Sequence, residues 1–173
     1  MSELRFLLTD AARAAFGELR NDHPGEAFYG FALGLLPATA EVTAAANTEE
    51  GLIRTATRYA SDGYGQVESL ASHEPGSLRW RTADWEHRSV GVEYFAEANV
   101  LIVETVDPQD PGDVVDALVG ALRDLNREDF FGWGPERDAV VALIETGDPA
   151  DLMELARDVN PAVPFARLQI ALG

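Results

Sequence analysis

The stretch FYGFALGLLPATAEVTAAANTEE, from Phe28 to Glu50, limits the fold more than any other part of the chain. Phe28, Tyr29, Phe31, Leu33, Leu35 and Leu36 form an aromatic and branched run that is too short and too broken by glycine for a helix, so it reads as a strand. Apolar or small residues fall on both of its faces, the pattern of an interior strand covered on two sides. Pro37 ends the pairing because it has no N–H to give to a ladder. The short link to Ala40 predicts a hairpin with Glu41–Ala46, although no Asn-Gly or Asp-Gly fixes the turn type. Asn47 and Glu50 then have the N-cap and N3 spacing of a capping box, so a helix is expected to start there.

Periodicity organises the rest. Leu4, Leu7, Leu8, Ala11, Ala15, Phe16 and Leu19 recur at three and four residues and predict an amphipathic first helix, which Pro24 and Gly25 end. A second helix is expected over about 48–61, with Leu52, Ile53, Ala56, Tyr59 and Ala60 inward. The segment 63–77 reads as loop, and a helical turn capped by Thr82 follows. GVEYFAEANVLIVETV fits both a helical stripe and a β-branched strand, and the helix is preferred. Asp110 with Pro111, and Asp148 with Pro149, have the N-cap and N1 arrangement before helices reaching about Asn126 and Asp158. AVVALIET reads as a strand, and ARLQIAL as a final edge strand. The expectation is an α+β fold in a single domain, residues 1–173. A small central, mainly antiparallel sheet with a core hairpin at about 27–46 is packed by about five helices.

Charge narrows the function. The chain carries 13 Arg, no Lys and 30 Asp plus Glu, a formal net charge of −17. Such a surface repels nucleic acid and anionic lipid, so neither is an expected partner. The imbalance is local: residues 84–158 hold 19 acids and 5 Arg. Without Lys there is no P-loop cation and no amine for imine chemistry. Without Cys there are no disulfides, thiolate ligands or thiol nucleophiles, which suits a reducing cytoplasm. The N-terminus does not resemble a signal peptide and no run reaches the length of a membrane span, so a cytoplasmic protein is expected.

Candidate chemistry is sparse. His23, His73 and His87 are scattered among polar, loop-like positions. His87 beside Glu86 invites a metal or acid/base reading, but no second His lies at ligand spacing, and surface histidines are the preferred account. No G-x-S-x-G elbow exists. Glu49 and Glu50 point about 100 degrees apart on a helix, so dipole and capping roles outweigh a carboxylate pair. Asp107, Asp110 and Asp113 lack the spacing of a calcium loop. Trp80, Trp85 and Trp133, near Arg79, Arg81 and Arg137, would line a groove or, with Phe130 and Phe131, form a satellite core. No catalytic set, metal or cofactor is assigned.

FYGFAL followed by AANTEE, then RWRTADWEH, LRDLNREDFFGWGPER and DVNPAVPF, resemble in order the uncharacterised, mainly bacterial family named domain of unknown function 4303. The matching positions are Tyr29, Asn47, Thr48, Glu49, Trp80, Trp85, Phe131, Gly132, Asn160 and Pro161. The resemblance covers nearly the whole chain and implies a fold-level grouping, with no catalytic residue to carry over. This chain departs from the family's pattern in having no Lys.

Three readings stand on the sequence. The leading one is a non-enzymatic protein-binding domain whose acidic face, mainly 84–158, steers a basic partner, with Trp80, Trp85 or Trp133 as anchors and Arg137 among the contact candidates. Its class and charge are analogous to immunity partners of secreted toxins. The alternative is an enzyme or small-molecule binder whose pocket gathers Tyr29, Asn47, Glu49, Arg79 and Trp85. The third is adaptation to high salt with no partner implied. The oligomeric state is not legible.

Overall fold

The computed structural model describes residues 2–36, 39, 41–107 and 110–172. Helix α1 (Glu3–Asp22) leads into β1 (Phe28–Leu36) and β2 (Glu41–Thr48), followed by α2 (Glu49–Ser61), the short α3 (Val67–Leu70) and β3 (His87–Arg88). Then come α4 (Ala96–Thr105), α5 (Gly112–Arg127), α6 (Pro135–Ala139), β4 (Val141–Glu145), α7 (Asp151–Val159) and α8 (Ala162–Leu172). The strands form one mixed sheet in the order β3-β2-β1-β4: β1 is antiparallel to β2 and parallel to β4, and β3 adds an antiparallel edge beside Ala45 and Ala46. The fold is α+β, with the expected hairpin at its centre.

Both faces of the sheet are covered. On one, Phe31, Leu33, Leu35, Ala44 and Ile144 pack against Leu8, Phe16, Ile102, Leu118 and Leu122 of α1, α4 and α5. Phe31 lies edge-on to Phe16 at 4.9 Å between ring centres and is fully buried. A side chain of that size removed from water contributes roughly 1.5–3 kcal/mol. On the other face, Ala32, Val141 and Leu143 meet Leu52 and Ala56 of α2, Leu168 of α8 and the segment carrying Leu78, Trp80 and Trp85. Strict alternation would put Tyr29 on the face of Phe31. The register slips between Phe28 and Gly30 where β1 pairs with the end of β2, and this bulge sends Tyr29 to the opposite face.

Two asparagine side chains close the edges of the sheet. At the outer edge of β4, Asn160 Oδ1 accepts from Ala142 N at 2.8 Å while its Nδ2 donates to Ala142 O at 2.7 Å and to Ala156 O at 2.8 Å. Along β2, Asn99 Oδ1 accepts from Val42 N at 2.8 Å and its Nδ2 donates to Val42 O at 3.2 Å. Each amide replaces one pair of ladder bonds at a strand that would otherwise offer open backbone groups to another chain.

Several local expectations change. ARLQIAL belongs to α8 and is not an edge strand; Pro164, Leu168 and Ala171 are its buried residues, at helical spacing, while Ile170 is 77% exposed. The residues from Val92 to Thr105 are helical, in agreement with the preferred reading, as a 3-10 turn and then α4. The N-cap of α2 is Thr48, whose Oγ1 accepts from Gly51 N at 2.9 Å. Glu50 reaches instead to Ala27 N at 2.9 Å, because β2 runs through Thr48 and keeps Asn47 inside the sheet. Pro111 caps α5 with no side-chain bond, and Ala150 precedes α7, so neither proline is at N1. The Thr82 hydroxyl bonds Glu145 and does not cap its 3-10 turn. Of the hairpin link, Pro37, Ala38 and Ala40 lie outside the described residues.

Candidate functional site

The bulge at Tyr29 organises a polar network within the second core. The Tyr29 hydroxyl donates to the carbonyl of Arg79 at 2.9 Å and accepts from Asn47 Nδ2 at 2.9 Å. Trp85 Nε1 donates to the same carbonyl at 2.8 Å. The Arg79 guanidinium lies over the Tyr29 ring, 4.6 Å from its centre, and forms two parallel bonds of 2.7 Å to Glu49 at the start of α2. Trp80 meets Tyr29 edge-on at 5.5 Å. Gly30 permits this packing, since a Cβ there would lie 2.7 Å from the Trp85 indole. Tyr29, Asn47, Glu49, Arg79 and Trp85 therefore converge, but onto one another. Tyr29 and Trp85 are each 2% exposed, and ring and guanidinium are in contact, leaving no room for a substrate between them. The network ties the 78–85 segment and α2 to the sheet. Burial pushes the Tyr29 hydroxyl far above its ordinary pKa, so the group stays a neutral donor.

Arg137 is also internal. Its Nε donates to Asn126 Oδ1 at 2.7 Å and its Nη1 to Val140 O at 2.5 Å, with Phe131 5.5 Å from the guanidinium. Desolvation pushes its pKa down to about 10. Trp133 behaves differently from every other predicted aromatic, because it is 75% exposed. Gly132 (φ 90°), Gly134 (φ 54°) and Asp129 (φ 53°) are left-handed and shape the loop that presents it. Trp133 stands on an open groove of about 770 Å³ lined also by Arg20, His23, Glu26, Phe28, Asp129, Phe130 and Glu136. Arg20 is turned inward, over the rings of Phe31 and Phe130. Asp129 and Glu136 are exposed and, among the described residues, have no salt-bridge partner.

At one end of the groove, His23, Glu26 and His87 come together, an association that sequence spacing hides. The two imidazole rings are 4.4 Å apart between centres. His23 Nδ1 is 3.6 Å from Glu26 Oε1, and His87 Nε2 is 3.9 Å from Glu26 Oε2. Thr48 Oγ1 at 2.6 Å and Arg54 Nη2 at 2.9 Å donate to Glu26 and hold its carboxyl below the usual range, the Thr48 bond contributing most. Burial, with His23 close by, lowers the pKa of His87, so its ring is neutral near pH 7. HPGE, with His and Glu three residues apart, was the local signal for half of this cluster. His87 joins it only because β3 pairs with β2.

The fold and these surfaces define an α+β domain with a braced interior, one aromatic groove and an acidic exterior. The chain belongs to the family described as Domain of unknown function (DUF4303), whose model matches residues 8–161. No curated protein and no solved structure matches it. Most positions that carry the family resemblance fall in the brace or at the sheet edge, where Tyr29, Asn47, Glu49, Trp85 and Asn160 make internal bonds. Among the described residues, no helix is long and apolar enough to cross a membrane.

Proposed function

We propose that this domain binds another protein, and that the groove presenting Trp133 receives it. The observation that carries the reading is the contrast among the three tryptophans: Trp80 and Trp85 are 6% and 2% exposed, whereas Trp133 is 75% exposed on a concave surface. A large exposed aromatic at a groove is the residue type that most often dominates binding energy once a partner desolvates it. Asp129 and Glu136 on the rim, within a segment carrying 19 acids and 5 Arg, select a basic partner and accelerate its approach. The setting we assign is a bacterial cytoplasm, in keeping with a chain without Cys. By analogy of class, the partner type is a basic toxin domain neutralised by its immunity protein. A toxin gene beside this one would favour that assignment and a metabolic operon would oppose it.

The test is capture of partners from cells of the source organism on immobilised wild type, Trp133→Ala and the pair Asp129→Asn/Glu136→Gln, with circular dichroism to establish folding. The expected result is a basic protein held by wild type, released as salt shortens the screening length from about 10 Å at 0.1 M to about 3 Å at 1 M, and absent from Trp133→Ala. Equal capture by all three proteins, or no salt-sensitive partner, overturns the reading.

A further inference from the structure

We propose that His23, Glu26 and His87 form a binding site for a divalent transition metal, with Zn²⁺ the ion that best suits two imidazoles and a carboxylate. This inference stands apart from the docking reading and uses different observations. One potential ligand atom from each of the three residues lies within 4.8 Å of the others. A tetrahedral ion with bonds of about 2.0–2.2 Å brings its ligand atoms to about 3.4 Å from one another. His23 Nδ1 is 3.6 Å from Glu26 Oε1 and His87 Nε2 is 3.9 Å from Glu26 Oε2, each close to that edge but on different oxygens of the carboxylate, so the three donors close on one ion by side-chain rotation or with both Glu26 oxygens bound.

The second observation is independent of distance. His87 Nε2 is buried and has no hydrogen-bond partner, a condition it shares among the described residues with Arg79 Nε, Trp80 Nε1 and Asp84 Oδ2, none of which has a lone pair beside two other metal-ligating side chains. A buried ring nitrogen left unpaired is unfavourable, and a lone pair directed at a cation is one of the few arrangements that answers it. The carboxylate is fixed in advance, since Thr48 and Arg54 hold Glu26 at 2.6 and 2.9 Å, the outer-shell support that metal ligands require. Glu86 Oε2 is 3.8 Å from His87 Nε2 but is taken up by Arg54 Nε and Nη2, so water is the expected fourth ligand. Two nitrogen donors disfavour Ca²⁺ and Mg²⁺, which take oxygen. The Arg54 charge opposes a dication, so affinity is expected in the micromolar range and not in that of a structural zinc finger. The bound ion would link the end of α1 and the turn carrying Glu26 to the edge strand β3.

The experiment is titration of tag-free, chelator-treated protein with Zn²⁺ alone against a chromophoric competitor, and with Co²⁺, whose visible absorption reports tetrahedral nitrogen and oxygen ligation. Wild type is expected to take up one ion per chain. His23→Gln and His87→Gln each weaken it by at least the tenfold to hundredfold that outer-shell losses alone produce, and His73→Gln, outside the cluster, leaves it unchanged. His23 is only partly buried, so His23→Gln remains informative even where His87→Gln fails to fold. Absence of saturable binding at micromolar Zn²⁺, an affinity unchanged by His23→Gln, or an equal loss in His73→Gln overturns the site.

Discussion

Replacing Tyr29 with Phe removes one oxygen from the polar network and leaves the ring packing in place. The hydroxyl donates to the Arg79 carbonyl and accepts from Asn47 Nδ2, both at 2.9 Å. The carbonyl keeps Trp85 Nε1 as a donor, whereas the Asn47 amide is left buried without that acceptor. Two lost bonds of about 0.5–1.5 kcal/mol each, one with an orphaned partner, give a destabilisation of about 2 kcal/mol at neutral pH. With a urea slope near 2 kcal/mol/M, the unfolding midpoint falls by about 1 M, read by tryptophan fluorescence.

The same substitution has an alkaline signature. The hydroxyl has an ordinary pKa of 10.0, and burial raises it well above that in the folded state. The folded protein therefore keeps a proton that the unfolded chain releases, so the stability contributed by this group is complete below pH 10 and is lost as pH rises toward the folded value. The loss is about 1.4 kcal/mol by pH 11. Tyr29→Phe has no such group, so its deficit relative to wild type shrinks by about 1.4 kcal/mol between pH 7 and pH 11. Tyr59 and Tyr94, also raised, titrate in both proteins and cancel. A deficit that stays constant across this range, or no deficit at pH 7, refutes the brace.

Gly30→Ala puts a methyl 2.7 Å from the Trp85 indole and is expected to cost about 1–3 kcal/mol, with a shifted fluorescence maximum marking the displaced ring. Asn160→Ala opens the outer edge of β4 by deleting bonds to Ala142 N, Ala142 O and Ala156 O; a loss of about 2–3 kcal/mol and concentration-dependent light scattering are expected. The Arg5 hydrogen bonds, followed by its charge, hold Asp124 below the usual carboxylate range, so this pair stabilises the fold above about pH 4 and fades as pH falls further. Asp124→Asn should thus lower the thermal midpoint at pH 7 and have a smaller effect at pH 3.

The sequence was most readable where one period dominated. The stripe of α1 and the two-sided apolar pattern of β1 lead directly to the packing observed. ARLQIAL misleads because Ala166, Leu168 and Ile170 alternate with Arg167 and Gln169, imitating a strand, while the stripe that buries the helix runs through Pro164, Leu168 and Ala171. The site was less readable for a topological reason. A one-residue bulge decides which face Tyr29 occupies, and no local pattern announced it. Once Tyr29 faces Asn47, Arg79 and Trp85, residues that look like a polar pocket in the sequence become internal fastenings. The contact between His23 and His87, and the clamps made by Asn99 and Asn160, depend on pairings between distant segments that spacing does not encode.

The most direct test of the docking account is the affinity of the captured partner, once purified, for wild type and Trp133→Ala over a range of salt. The account predicts at least a roughly thirtyfold weaker complex for Trp133→Ala, the scale of an interface hot spot. It also predicts a wild-type association rate that falls steeply as salt rises, while dissociation hardly changes. An affinity indifferent to Trp133, with association insensitive to salt, contradicts it.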